Sequence, residues 1–355
     1  AGFATATLAG NSSAEDMIIQ PDGKIVVVGA AAIETSDSQL VVARFNQDGT
    51  LDSTFASSGL FTFDWNHQET SDHAHAVGLL PNGKIILTGT SDNPQNIFAV
   101  QLESNGQLDP LFDSDGFISL PLDDQAVATD LIVFDDGSIV LGAAILDDRF
   151  VLIEMEYPGQ VSSTVVTDMG NGEMVNDVLV YPDGKILLAG QANDHFALAR
   201  FNPNGTLDTS FGTAGKVYTT VGETDSEIHR VILQPDGKLI AVGQSNNGTD
   251  QDFTLTRYTL DGSLDTTFDD DGILILPING EDIARDIILL DDQSLLAVGG
   301  TADDTTDLVQ LMGGVRPGDI EGQLFRDYNG NGKQDTGEPG LAGWTVFIDQ
   351  NQNNQ

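Results

Sequence analysis

The sequence predicts an all-β protein: six repeated units closed into a ring, followed by the opening of a second, smaller β domain. The observations behind this are a turn phrase that recurs along the chain, apolar runs without helical periodicity, and a change of pattern after residue 312.

The turn phrase is Pro21-Asp22-Gly23-Lys24, followed by the apolar run Ile25 to Val28. It returns as Pro81-Asn82-Gly83-Lys84, Pro182-Asp183-Gly184-Lys185 and Pro235-Asp236-Gly237-Lys238, with worn copies at Asp136-Gly137-Ser138 and Asp292-Gln293-Ser294. Positions 23, 83, 137, 184, 237 and 293 are separated by 60, 54, 47, 53 and 56 residues, within the range of propeller or array repeats. A second phrase follows the first: Gly49-Thr50-Leu51-Asp52 with Phe55, then Gly106 to Asp109 with Phe112, Gly205 to Asp208 with Phe211, and Gly262 to Asp265 with Phe268. In the third unit it is degenerate, near Tyr157-Pro158-Gly159.

Asp-Gly and Asn-Gly pairs supply the positive-φ residues of hairpin turns, so each unit reads as four short strands. Runs such as Ile25-Val26-Val27-Val28 are apolar at every position, as expected of a strand covered on both faces by stacked blades. The sixth unit stops near Met312 without its second phrase or fourth strand. Ala1 to Thr7 matches the strand opening Ala214 to Thr220, so the N-terminal strand is expected to complete the last unit and hide both sheet edges. The expected fold is therefore a six-bladed β-propeller over residues 1–312, with a linker at 313–318. The two phrases resemble the delta-60 repeat family of large secreted bacterial proteins, and that resemblance implies a β-propeller without implying an activity.

A different signal begins after the linker. Asp327, Asn329, Asn331, Lys333, Asp335 and Glu338 fall at positions 1, 3, 5, 7, 9 and 12 of a loop with Gly332 at position 6. Calcium loops use this spacing: hard oxygen ligands, a backbone carbonyl at position 7 (here that of Lys333), a glycine for the sharp turn and a closing bidentate carboxylate. Gly337, Pro339, Gly340 and Gly343 forbid the exit helix of an EF-hand, so the loop must join strands. Residues 322–349 resemble the calcium-binding B-type repeats of Gram-positive surface adhesins. That resemblance implies a Ca²⁺-rigidified, Ig-like β-sandwich, here expected to be a truncated segment over 319–355, and a secreted, cell-surface setting connected with adhesion.

Composition narrows the partners. The net charge is −41, which repels phosphate backbones and anionic membrane surfaces, so neither nucleic acid nor membrane insertion is expected. The chain has no cysteine, which excludes disulfides, thiol nucleophiles and thiolate metal sites. A monomer is expected.

Further candidates come from repetition. Asp16, Asp130, Asp177 and Asp286 lie seven residues before their turn glycine or its equivalent; lining a channel, they could hold a cation, or be solvated or paired with Arg230 and Arg285. His73 and His75, with His67 nearby, have the spacing of two ligands on one strand face, or of a histidine-bearing surface loop. Arg44, Arg200 and Arg257 recur at one position, and Asp52, Asp109, Asp208 and Asp265 at another, which marks an architectural pairing. The loops joining second to third strands carry Glu34, Asp37, Asp92, Asp147, Asp148, Asp194, Asp250 and Asp303, those joining one unit to the next carry Asp72, Asp123, Asp124, Asp225 and Glu281, and this acidic face is where a protein or glycan would bind. No cofactor besides Ca²⁺ and no catalytic set is indicated. Two function classes remain: a non-enzymatic extracellular interaction or spacer protein, and a propeller glycan hydrolase or lyase using carboxylates of that face.

Overall fold

The structure, a computed structural model, describes residues 4–8, 10–34, 37–64, 71–92, 95–120, 122, 126–145, 149–172, 174–278, 280–301 and 306–311. Among them lie 23 strands, and every sheet keeps its strands in sequence order. No helix among the described residues is long and apolar enough to cross a membrane. The chain divides into two compact units, Ala1–Val178 and Leu179–Gln355.

Unit 1 holds three four-stranded sheets. The first comprises β1 (Ser12–Ile19), β2 (Ile25–Glu34), β3 (Asp37–Phe45) and β4 (Leu60–Phe63). The second comprises β5 (Asp72–Leu79), β6 (Ile85–Asp92), β7 (Gln95–Leu102) and β8 (Phe117–Leu120). The third comprises β9 (Ala126–Val133), β10 (Ile139–Ile145), β11 (Arg149–Glu156) and β12 (Gln160–Asp168).

Unit 2 continues the pattern. Its first sheet opens with β13 (Met174–Val180), which straddles the division, and adds β14 (Ile186–Ala192), β15 (His195–Phe201) and β16 (Lys216–Thr219). The next comprises β17 (Thr224–Leu233), β18 (Leu239–Asn246), β19 (Gln251–Tyr258) and β20 (Ile273–Leu276). The last has three described strands, β21 (Asp282–Leu289), β22 (Leu295–Thr301) and β23 (Thr306–Leu311).

Apolar runs without alternation are explained by burial on both faces. In the second sheet Ile85 and Leu87 pack with Val26, Val28, Leu40 and Val42 of the first sheet, whereas Ile86, between them, packs with Leu141, Val151 and Ile153 of the third. Unit 2 repeats the arrangement: Leu239 and Ala241 face Leu187, Ala189 and Leu198, while Ile240 and Val242 face Ala284, Leu295 and Ala297. A strand whose successive side chains point to opposite faces needs an apolar residue at every position when both faces are covered.

The turn phrase closes the first hairpin of each sheet. Gly23 has φ +78° and donates its N–H to the carbonyl of Gln20 at 2.8 Å, while Asp22 Oδ1 accepts the Lys24 N–H. Glycine meets the positive φ without a Cβ clash, and aspartate caps the amide two residues on. In the worn sixth copy Gln293 takes the same left-handed conformation at φ +67°.

The third sheet departs from the others. Its outer strand β12 has 9 residues, against 4 in each of β4, β8, β16 and β20, and a tight turn at residues 157–159 replaces the second phrase. Residues 4–8 carry no strand assignment; Ala4, Ala6 and Leu8 line a cavity of about 280 Å³ against Val41, Ala43 and Phe45 of the first sheet.

Candidate functional site

In four of the sheets the residues repeated most faithfully converge on one carboxylate. Arg44 stands opposite Val26 on β3 and donates through Nε to Asp52 Oδ2 at 2.8 Å. Lys24, from the turn phrase, places its ammonium 3.0 Å from the same oxygen. The other oxygen, Oδ1, accepts the N–H and hydroxyl of Thr54 at 3.0 and 2.6 Å. Arg200, Lys185 and Ser210 repeat this around Asp208, and Arg257, Lys238 and Thr267 around Asp265. In the second sheet Gln101 replaces arginine and donates to Asp109, which also holds Lys84 at 2.8 Å.

The same residues reach the next sheet. Arg44 Nη1 donates to the carbonyl of Ser104 at 2.6 Å, and Arg200 Nη1 to that of Leu260 at 2.6 Å, each 60 residues along the chain. Each guanidinium lies over the phenylalanine of its own second phrase, 4.5 Å from Phe55 and 4.3 Å from Phe211. These rings are buried and press on the turn glycine of the following repeat. A Cβ built on Gly106 would stand 2.7 Å from Phe55, one on Gly159 2.9 Å from Phe112, and one on Gly262 2.8 Å from Phe211. Backbone bonds run alongside, from Ala56 N to Asn105 O and from Gly212 N to Asp261 O. The second phrase is therefore a latch between sheets.

Burial alone would raise the Asp52, Asp208 and Asp265 carboxyls. The hydroxyl, lysine and arginine partners outweigh it and hold all three below the ordinary value of 3.8, Asp265 at about 2. Asp109 is lowered in the same way, burial being outweighed by Lys84. Charges removed from water persist because they are paired and hydrogen-bonded.

Where the latch is missing, its parts are missing together. The position of Arg44, opposite the residue three after the turn glycine, holds Glu154 in the third sheet and Gln310 in the last, while the lysine position holds Ser138 and Ser294. Neither repeat has the Leu-Asp-x-x-Phe phrase. Burial raises the Glu154 carboxyl, the opposite of what the latch carboxylates show.

The four aspartates singled out for a channel lie on the first strands of their sheets. Asp16 accepts the N–H of Met17 through Oδ1 and, through Oδ2 at 2.9 Å, that of Val77 in the neighbouring sheet. Asp130 does the same with Leu131 and with Val178 of β13. Asp286 accepts Ile287 N and pairs with Arg230 Nε at 3.0 Å. Asp177 is buried and also engaged. In three of these strands the aspartate follows a register shift, a bulge that turns the carboxylate toward the neighbouring first strand.

His73 and His75 stack at 6.2 Å, and Ser38 Oγ lies 3.3 Å from His73 Nε2; His67 lies outside the described residues. Burial pushes the His229 imidazole down. Among the described residues, no group of three or more His, Cys, Asp or Glu is placed to hold a metal. The calcium loop, Asp327, Asn329, Asn331, Lys333, Asp335 and Glu338, lies outside the described residues, as do Asp123, Asp124, Asp147, Asp148 and Asp303 of the acidic face. Of that face, Asp194, Asp225 and Glu281 are exposed and Asp72 is buried.

The pairing of arginine with aspartate was legible from their matched recurrence. The lysine's share in it was missed, although it too recurs with the second phrase in all four intact repeats.

Residues 20–55, 80–112, 182–211 and 234–268 match a family described as "Domain of unknown function (DUF5122) beta-propeller". These are the four repeats that carry both phrases. Among solved structures the chain is similar to YCF48 bound to D1 peptide, with 13% identity, TM-score 0.50, and coverage of 88% of this chain and 81% of that one. The chain is built of β-propeller repeats. Other similar structures are the polysaccharide lyase Uly1 (12% identity, TM-score 0.46, coverage 92% and 89%) and a puromycin hydrolase (13%, 0.44, 84% and 51%). No curated protein matches the chain. The propeller repeats thus spend their recurring charged residues on joining one sheet to the next.

Proposed function

We propose that the chain is a non-enzymatic interaction or spacer module of a secreted, cell-surface protein. In this reading, a six-bladed propeller closed by the N-terminal strand carries a calcium-rigidified B-type β module behind it. The observation that carries this is the use of the repeated Lys, Arg and Asp as latches within the fold, which leaves the exposed acidic loops as the surface for a protein or glycan. The calcium part is supported by the donor set alone: carboxylate and amide oxygens at Asp327, Asn329, Asn331, Asp335 and Glu338, with the Lys333 carbonyl, suit a hard divalent cation.

The test is a calorimetric Ca²⁺ titration of the chain and of Glu338→Gln, with glycan turnover measured in parallel. The proposal expects a Ca²⁺ site weakened at least roughly tenfold by the substitution, and no turnover. Equal Ca²⁺ binding by both proteins would contradict the module; turnover abolished by one carboxylate substitution would contradict the non-enzymatic reading.

A further inference from the structure

The turn ends of the three sheets in unit 1 border an open cavity of about 610 Å³. Its size falls within the range of small-ligand pockets, roughly 300–1,000 Å³. Its lining includes the apolar residues Leu79, Leu80 and Pro81 at the second turn and Val133 and Phe134 at the third. The lining also carries Lys24, Arg44 and Asp22.

The two cations of the lining are already matched. Arg44 gives Nε and Nη2 to Asp52, and Nη1 to Ser104 O. Lys24 lies 3.0 Å from Asp52 and 3.7 Å from Asp22. Asp135, next to Phe134 in the chain and also part of the lining, is exposed and has no hydrogen bond or ion pair among the described residues. The cavity thus joins an apolar surface to one uncompensated carboxylate, in a chain whose field at −41 draws cations toward it.

We infer that this cavity binds an amphipathic cation, an apolar group ending in an ammonium or guanidinium, with the apolar part on Pro81 and Phe134 and the cation at Asp135. An anion would meet paired cations and an open carboxylate, and a neutral apolar ligand would gain nothing from Asp135. Two sources have this chemistry: a free alkylamine, and a basic side chain flanked by apolar residues on a polypeptide. This site shares no residue with the acidic loops or the calcium loop, so it stands or falls apart from the function proposed above.

The experiment is a binding titration of the full chain with hexylammonium and with acetyl-Leu-Arg-Leu-amide, each compared with its acidic counterpart, hexanoate and acetyl-Leu-Glu-Leu-amide. Asp135→Lys is the test variant. Asp183→Lys, which makes the same charge change at an exposed turn of unit 2, is the control for general attraction to an acidic protein. The expected result is a cationic probe binding at least roughly tenfold tighter than its acidic counterpart, with that preference lost in Asp135→Lys and kept in Asp183→Lys. Tight binding by hexylammonium assigns a free amine, and binding by the Arg peptide alone assigns a polypeptide side chain. Absence of preference for either cation, or equal weakening by the two substitutions, overturns the inference.

Discussion

The first and third repeats solve one problem differently. In the first, residues 46–59 loop out of the outer hairpin, and the loop's Asp52 and Phe55 gather Lys24, Arg44 and the next sheet's Gly106 into a buried cluster, with a short outer strand of 4 residues behind it. In the third, the turn at residues 157–159 closes directly, the lysine and arginine positions hold Ser138 and Glu154, and β12 pairs with β11 from Gln160 to Asp168. Gly159 nevertheless keeps the left-handed turn, at φ +95°, that receives Phe112 from the repeat before. A repeat therefore has a receiving half and a donating half, and the donating half can be lost as one piece.

Substitutions can break that contrast. Asp52→Ala would leave Arg44 and Lys24 facing each other without their carboxylate, at an expected cost of about 3–5 kcal/mol. Glu154→Ala, at the arginine position of the third repeat, should change stability by less than about 1 kcal/mol. Urea unfolding of both variants checks this, and equal losses would remove the distinction between the repeats.

The receiving half is tested by two glycines with the same backbone. Gly106 and Gly137 have φ of +83° and +85°, so alanine strains both by about 1 kcal/mol. Only at Gly106 would the new methyl meet a buried ring, 2.7 Å away, whereas Gly137 has nothing within 4 Å. Gly106→Ala should therefore cost about 1–3 kcal/mol more than Gly137→Ala. Similar thermal shifts in the two would mean that Phe55 yields easily.

The smallest effect is in pH. Between neutrality and the ordinary carboxylate value of 3.8, protonation of exposed acids relieves self-repulsion in a chain of charge −41, and the melting temperature should hold or rise. The latch carboxylates are depressed in the folded state, so their contribution is present above 3.8 and lost as pH falls through the folded values, about 2 for Asp265. Calorimetry should then show a decline between about pH 4 and pH 2; a continued rise would mean that the latches contribute nothing.

The repeat was legible because turn glycines and two-faced apolar strands leave local marks, as at Gly23 and at Ile25 to Val28. The pairing of Arg44 with Asp52 was legible because the two recur at a fixed separation of eight residues. The bond from Asp16 to Val77 was not, since it depends on a bulge between Ala14 and Asp16 and on an amide 61 residues away. Repetition in sequence marked these aspartates; their hydrogen bonds to neighbouring strands came only from the packing of sheets. The cavity beside Asp135 was equally hidden, because it is formed by three turns far apart in the chain.

The most direct test of the latch is a double-mutant cycle in unit 2, with Arg200→Met, Asp208→Ala and the double variant unfolded in urea. The account predicts a coupling of at least about 1.5 kcal/mol, because the two side chains share a buried bond of 2.9 Å. Losses that add to within about 0.5 kcal/mol would contradict it, and would show that the recurring charges do not hold these sheets together.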